Sequence, residues 1–241
     1  MTGHTRYFLS VAVVSLIWVI TGCATFYTPA ACTALDPEQY IETYDPFESV
    51  NRAVFNFNLK SDRAIYQPIA RAYKKIAPDP VESSVSSFYR NLKEPRNMIS
   101  SLLSGRLGIT AQSGVRFTMN TTVGLFGLFD VADKTGLPYK DYDFGHMFGN
   151  WGFGDGPYIV WPFTGPSNLR DSVGSATHLH FTYVEKRIKK SEHQLFVQAV
   201  SVIDTRARLL PFTDLLDQQP DSYLFARESY RQSRLNTICN P

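Results

Sequence analysis

The chain has 241 residues and a formal net charge of +2 at pH 7, with 44% hydrophobic, 14% aromatic and 19% charged residues. This near-neutral balance argues against nucleic acid as a partner, because nucleic-acid-binding domains carry clustered basic charge. Neither internal repeats nor low-complexity tracts divide the chain, so it is expected to form one large domain behind its export signal. A surface that partly faces lipid would account for the high aromatic content.

Residues 1–22 have the three parts of an export signal. Arg6 supplies the positive charge, residues 7–20 are uncharged and mostly apolar, and small residues follow. The apolar run is too short to span a bilayer as a mature helix. The sequence ITGC, which ends at Cys23, is typical of a lipoprotein cleavage site, and predicts a signal peptide over 1–22 and acylation of Cys23. An ordinary signal with a chance cysteine is the alternative.

Residues 23–44 lack hydrophobic periodicity and contain prolines and small residues, which predicts a lipidated tether. Several acyl chains on Cys23, palmitate among them, would each contribute ~0.8 kcal/mol per buried CH₂ and make the anchor effectively permanent. Once Cys23 is acylated, the remaining thiols are Cys32 in the tether and Cys239 near the end of the chain. An oxidising compartment favours a disulfide between them.

A single helical domain is predicted over residues 45–241. Asp45 as N-cap, Pro46 at the first helical position and Glu48 as the capping-box partner predict a helix that begins there. Apolar periodicity bounded by proline and glycine predicts further helices over residues 68–75, 81–94, 95–103, 107–122, 196–210 and 222–235. Residues 168–180 give no clear pattern. The apolar, glycine-spaced segment 124–129 predicts either a buried turn or a segment that dips into the bilayer boundary.

A polar strip separates two apolar faces on the first predicted helix. Projection at ~100° per residue places Asn51, Asn58 and Asp62 in this strip. Two interpretations follow. Either these side chains cap or bridge neighbouring helices, or one apolar face meets lipid and the strip borders a polar passage.

Residues 144–174 hold seven glycines, seven aromatic residues and three prolines, which predicts a shaped loop with at most a very short β-hairpin around residues 157–162. Its aromatic rings either close a core or form a lip that faces lipid, since Trp and Tyr favour membrane interfaces. Gly154, Asp155 and Gly156 form the candidate rim of this loop. Arg170 is predicted either to pair with a neighbouring carboxylate or to bind a lipid phosphate.

The motifs of metal, nucleotide and hydrolase chemistry are missing from the sequence. The pair of histidines at 178 and 180 has no third ligand at a suitable spacing, and the glycines at 152–156 are followed by no Walker lysine. No G-x-S-x-G elbow occurs. We therefore predict no catalytic residue, no metal and no cofactor.

Four segments resemble the MlaA/VacJ family of outer-membrane lipoproteins: DPFESVNRAVFNFN at 45–58, RFTMNTT at 116–122, GPYIVWPFTGPSNLRD at 156–171 and DSYLFAR at 221–227. The resemblance covers nearly the whole mature chain. It implies a mainly α fold, a ring-like bundle of amphipathic helices in the periplasmic leaflet of the outer membrane. Ala24, where retained lipoproteins have Asp, implies transfer to that membrane.

The resemblance also implies a function and partners. An amphipathic channel would remove mislocalised glycerophospholipids from the outer leaflet, working with a trimeric porin and a soluble periplasmic lipid carrier. The sequence contains no energy-binding motif, so the direction of transport would come from partners. A periplasmic lipoprotein enzyme acting on lipid or cell wall is the alternative, and the missing catalytic motifs argue against it.

Replacing Cys23 with Ala should leave an uncleaved precursor or a mislocalised protein, because the thiol is the predicted site of lipid attachment. Mass spectrometry of the membrane-extracted protein measures the acyl mass, and Cys32→Ala is the matched control that should keep it. An unmodified Cys23, or a mature chain that starts elsewhere, would contradict the lipoprotein prediction.

Overall fold

A computed structural model describes Cys32, residues 43–181 and residues 191–239. The predicted signal peptide, Cys23 and most of the tether lie outside the described residues. The described part is mainly helical with one two-stranded sheet, which confirms the predicted fold class. Its elements in chain order are α1 (Glu48–Ser61), a π-helical segment (Asp62–Tyr66), α2 (Gln67–Ile76), α3 (Asp79–Leu103), α4 (Leu107–Thr122), α5 (Val131–Lys134), α6 (Phe144–Asn150), β1 (Tyr158–Trp161), β2 (Gly165–Asn168), α7 (Leu169–Phe181), α8 (Ser191–Arg208), α9 (Leu210–Asp217) and α10 (Ser222–Cys239).

The predicted capping box at the start of the first helix is wrong. The helix begins at Glu48, and its N-cap residue, Phe47, makes no side-chain capping bond. The Asp45 carboxylate instead accepts hydrogen bonds from the Tyr223 hydroxyl and, at 3.2 Å, from Arg227 Nη1. Because its side chain is buried among these donors, tertiary partners replace the local cap.

The first helix continues into the second without a break. Pro68 was predicted to open a new helix, but it lies inside a continuous helical rod whose end at Ile76 is one residue beyond the predicted end. The π-helical turn just before it accommodates Pro68, which has no N–H to donate. In this turn the Gln67 N–H donates to the Asp62 carbonyl, five residues earlier instead of four.

Helix α3 runs through Pro95, where the sequence predicted a boundary. Around this proline, polar residues bind the neighbouring segments: Ser101 Oγ lies 2.9 Å from Thr110 Oγ1, and Asn97 Nδ2 donates to the Lys140 carbonyl at 2.9 Å. These contacts, two and six residues after the proline, fix the second half of α3 against its neighbours despite the missing backbone donor.

The predicted short hairpin is confirmed. Strands β1 and β2 are antiparallel, with Tyr158 opposite Asn168 and Trp161 opposite Gly165. Within the predicted loop the structure also has helix α6, which was not predicted because its glycines disfavour a helix. Its start is fixed by a capping box in which the His146 N–H donates to the Asp143 carboxylate and the Asp143 N–H donates to the His146 ring.

Two further boundaries differ from the prediction. The unclear stretch 168–180 contains the end of β2 and helix α7. Pro211 was predicted to end a helix. It lies instead in the first turn of α9, where the missing N–H costs no intrahelical bond, and α8 ends before it at Arg208.

The apolar core is small and lies between the hairpin and three helices. Phe55, Tyr158, Val160, Leu216 and Tyr223 belong to one buried cluster. The rings of Phe55 and Tyr223 meet edge to face at 5.6 Å, and those of Tyr158 and Tyr223 at 6.1 Å. This cluster fixes the hairpin against α1, α9 and α10.

Charged and polar groups fill the interior between α3 and α4. Arg116, which is 1% exposed, donates from Nε to Glu94 at 2.6 Å and from Nη2 to Asp130 at 2.9 Å. Its Nη1 binds the Leu137 carbonyl. Asn120 adds a 3.0 Å bond to the same Asp130 carboxylate. A buried guanidinium with these partners locks α3, α4 and the start of α5 to one another.

Removing one member of this buried pair should destabilise the fold by about 3 kcal/mol, because a buried charge then loses its partner. We expect Glu94→Leu to shift chemical unfolding to lower denaturant, and the double variant Glu94→Leu/Arg116→Leu to recover part of the loss. Asp217→Leu is the control, because its pair with Arg63 is exposed. Equal effects of Glu94→Leu and Asp217→Leu would contradict this account.

Candidate functional site

A cavity of about 700 Å³ opens between the end of α2, the first three turns of α3, α5 and the end of α8. Serine hydroxyls, charged groups and the apolar side chains of Pro80, Leu128 and Phe129 line it together. The serines are Ser83, Ser84, Ser86 and Ser87. A cavity with both polar and apolar walls suits a ligand that is itself amphipathic.

The face that α3 buries explains the polar wall. All the residues that this helix buries are polar: Ser86, Asn91, Glu94, Asn97, Ser100 and Ser101. Ser83, Ser87 and Arg90 follow the same helical spacing toward the start of the helix and line the cavity. Val81, Leu102 and Leu103 of α3 are each about half exposed, whereas other apolar residues of this helix, such as Phe88 and Leu92, are partly buried.

The apolar wall comes from the turn at residues 124–129. Leu125 and Phe126 have left-handed backbone angles and exposed side chains, while Leu128 and Phe129 line the cavity. Gly127 holds the turn in place, because a Cβ there would lie 2.5 Å from the Cβ of Asn91. The buried-turn interpretation of this segment is therefore wrong for its apolar side chains.

The outer surface carries much apolar area. Within the described residues, 28 large hydrophobic side chains are exposed, whereas 15 hydrophobic and 17 polar or charged residues are buried. Trp151, Phe153, Trp161 and Phe163 of the glycine-rich segment are among the exposed ones. Where such side chains adjoin one another, as Phe57 and Phe163 do with ring centres 5.4 Å apart, the exposed patch favours contact with lipid or another protein. No helix in the described part is long and apolar enough to cross a membrane.

The predicted polar strip holds the hairpin. Asn51 is buried and donates to the Tyr158 carbonyl at 2.9 Å, while its own carbonyl accepts the Val160 N–H at 2.9 Å. Asn58, seven residues later on α1, repeats this pattern: its side-chain amide donates to the Trp161 carbonyl at 2.9 Å and its side-chain oxygen accepts the Phe163 N–H at 2.8 Å. The two amides therefore act as substitute strand partners for β1.

The third strip residue and the loop residues have other partners. Asp62 accepts two hydrogen bonds from Arg206 of α8, at 2.5 and 2.7 Å, and so bridges to a neighbouring helix as one interpretation predicted. Asn51 instead joins α1 to the hairpin. Arg170 is buried and pairs with Asp155 at 2.5 Å and with Asp171 at 3.0 Å. This confirms the ion-pair interpretation of Arg170.

The two candidate glycines differ in their surroundings. Gly154 has open space where a Cβ would be, whereas a Cβ on Gly156 would touch Leu169 at 3.0 Å, and its φ of +66° is left-handed. Six of the seven candidate passage residues lie around the hairpin and the start of α7, whereas Asp62 binds Arg206 of α8. None of the seven lines the 700 Å³ cavity. The missed signal was the sequence ESSVSS at 82–87, whose serines line the cavity and of which Ser86 is buried where an apolar residue is more usual.

Burial disfavours ionisation of Asp171, but the charges of Arg234 and Arg170 and a hydrogen bond from Tyr230 outweigh it and lower the pKa of this carboxyl. Asp171 therefore stays charged and fixes the start of α7 against α10. Cys32 and Cys239 form a disulfide, with their Cα atoms 5.5 Å apart. It joins the predicted tether to the end of α10.

The family model for the MlaA lipoprotein matches residues 43–237. The chain belongs to the MlaA lipoprotein family. The intermembrane phospholipid transport system lipoprotein MlaA of Escherichia coli (strain K12) is 33% identical over 192 residues, which cover 78% of this chain and 76% of that protein. Its Haemophilus influenzae counterpart is 30% identical over 217 residues, 89% and 84% of the two chains. The predicted family resemblance is confirmed.

Two further relatives extend the comparison. An uncharacterized protein of Rickettsia felis is 36% identical over 202 residues, 83% of this chain and 80% of that protein. A solved structure described as "Structural basis for maintenance of bacterial outer membrane lipid asymmetry" superposes with a TM-score of 0.71 at 32% identity, over 80% of this chain and 98% of that one. The helical fold of the family is thus also the fold of this chain.

Replacing Asn51 with Leu should destabilise the protein by about 1–3 kcal/mol, because it leaves the Tyr158 carbonyl and the Val160 amide buried without partners. Asn58→Leu should cost less than about 1 kcal/mol, since the hairpin groups it releases are exposed and can bind water. Thermal melts of the two variants measure the difference. A larger loss for Asn58→Leu would contradict the assigned roles.

Proposed function

We propose that this protein is an outer-membrane lipoprotein that removes mislocalised glycerophospholipids from the outer leaflet and passes them to a soluble periplasmic carrier. Acylated Cys23 would hold it at the periplasmic leaflet, with a trimeric porin as its membrane partner. The lipid would move through an amphipathic passage at the cavity between α2, α3 and α5. The name of the Escherichia coli relative supports transport of this kind.

The observation that carries the proposal is that every residue buried by α3 is polar, the reverse of a helix in an ordinary water-soluble protein. A helix that buries only polar residues and exposes Val81, Leu102 and Leu103 suits a protein with lipid outside and a polar interior. Headgroups can then pass along Ser83 and Ser87 while acyl chains stay against apolar walls.

The passage proposed here differs from the strip suggested by the sequence. Asn51, Asn58 and Asp62 would act indirectly, by holding the hairpin and α8 in position. Gly154, Gly156 and the exposed Trp151 and Trp161 would form a lipid-facing rim, where amphipathic rings are favoured.

An enzyme acting on lipid or cell wall is the second hypothesis. It needs a nucleophile with an adjacent base, or paired catalytic carboxylates. The cavity serines do not supply this arrangement. Ser87 donates to the Ser83 carbonyl, and Ser86, which donates to the Asp204 carboxylate, is buried and shares that carboxylate with Arg208 at 3.0 Å. Hydrolysis of lipid by the purified protein, abolished by one point change, would favour the enzyme.

A photoreactive residue at position 87 should cross-link to phospholipid in cells, because the cavity would hold lipid during transfer. The same probe at Lys75, an exposed residue outside the cavity, is the matched control and should give little adduct. Deletion of the protein should raise outer-leaflet phospholipid without abolishing growth. Equal cross-linking at both positions would count against the cavity as the passage.

A further inference from the structure

We propose that Arg90 is the residue that binds the phosphate group of the lipid in this cavity. The proposal rests on the proposed function and names the group that recognises the substrate. Arg90 lies on α3, is half-buried, and lines the cavity together with Ser83 and Ser87. Its role follows from the charges, the packing and the spacing around it.

Two other cations of the cavity have carboxylate partners. Lys74 pairs with Glu82 at 3.3 Å, and Arg208 pairs with the buried Asp204 at 3.0 Å. Arg90 has no carboxylate within 4.0 Å in the part of the chain that the structure describes, and its guanidinium group lies over the Tyr139 ring. Its positive charge is therefore available to an anionic ligand.

The remaining charged groups of the cavity do not replace Arg90. Lys134 also lacks a carboxylate partner within the described residues, but it is exposed on the short helix α5, where water and salt screen its charge. The Asp130 carboxylate is occupied by Arg116 and Asn120. Asp79 and Asp133 are exposed at the edge of the cavity.

Tyr139 holds the Arg90 guanidinium in position. The Cζ atom of Arg90 lies 5.6 Å from the centre of the Tyr139 ring, and the Cζ atom of Arg116 lies 5.6 Å from the same centre. Arg116 is fixed by its ion pair with Glu94 at 2.6 Å, so the ring is held on one side by a rigid group. Burial raises the pKa of the Tyr139 hydroxyl, which keeps the ring neutral.

The chemistry of the cavity matches a phosphodiester that carries apolar chains. A guanidinium group donates two parallel hydrogen bonds to phosphate oxygens, and a half-buried one does so with less competition from water. Ser83 and Ser87 are seven and three residues before Arg90, so their side chains lie on the same helix face. Leu128 and Phe129 supply the apolar wall.

The test compares a photoreactive phospholipid with a photoreactive diacylglycerol of the same chains. The full-length lipoprotein is reconstituted in nanodiscs, and the labelling of Arg90→Gln, Arg90→Lys and Arg71→Gln is measured. Arg71 is the matched control, because it is exposed and its pair with Asp214 is long, at 3.7 Å. We expect Arg90→Gln to lower phospholipid labelling about tenfold and leave diacylglycerol labelling unchanged.

Arg90→Lys should give an intermediate loss, because it keeps the charge but not the planar pair of donors, and Arg71→Gln should label like the wild type. Wild-type labelling of phospholipid by a folded Arg90→Gln variant would overturn the proposal and leave the passage intact. Equal loss of both lipids would also overturn it, because Arg90 would then shape the cavity. Failure of the wild type to label with either lipid would instead refute the proposed function.

Discussion

One buried guanidinium group connects the walls of the cavity. Arg116 of α4 binds Glu94 of α3, Asp130 just before α5 and the Leu137 carbonyl just after it, so α3, α4 and the segment around α5 share one charge. Its desolvation is tolerable because several acceptors surround it. The Arg116 guanidinium also packs against the Tyr139 ring, and the Arg90 guanidinium packs against the same ring. The position of Arg90, the proposed phosphate-binding residue, thus depends on the ion pair between Arg116 and Glu94, which does not line the cavity.

The hairpin is stabilised by a different device. A two-stranded sheet is marginal by itself, because each strand leaves one edge without backbone partners. Asn51 and Asn58 on α1 supply those partners with their side-chain amides, and Tyr158 and Val160 add apolar packing beneath. The exposed Trp161 and Phe163 can then be held at the surface without a larger sheet behind them.

The distribution of polarity ties the fold to the proposed transport. In a protein surrounded by water, the 28 exposed hydrophobic side chains would favour aggregation, whereas lipid or a partner would accept them. A polar interior also needs extensive hydrogen bonding, and the ion pairs and serine bonds of α3 provide it. The features that make the chain unusual as a globule are those a lipid passage requires.

The sequence by itself determined the helical class, the short hairpin and the family, because these depend on local turn chemistry, periodicity and motif spacing. It also indicated that Asn51, Asn58 and Asp62 were important, but not to which groups they bind. Only the tertiary structure decided that the Asp45 carboxylate binds Arg227 instead of capping α1, and that α3 continues through Pro95. The cavity was missed for a physical reason: periodicity identifies an apolar stripe as the buried face, and in α3 the buried face is polar.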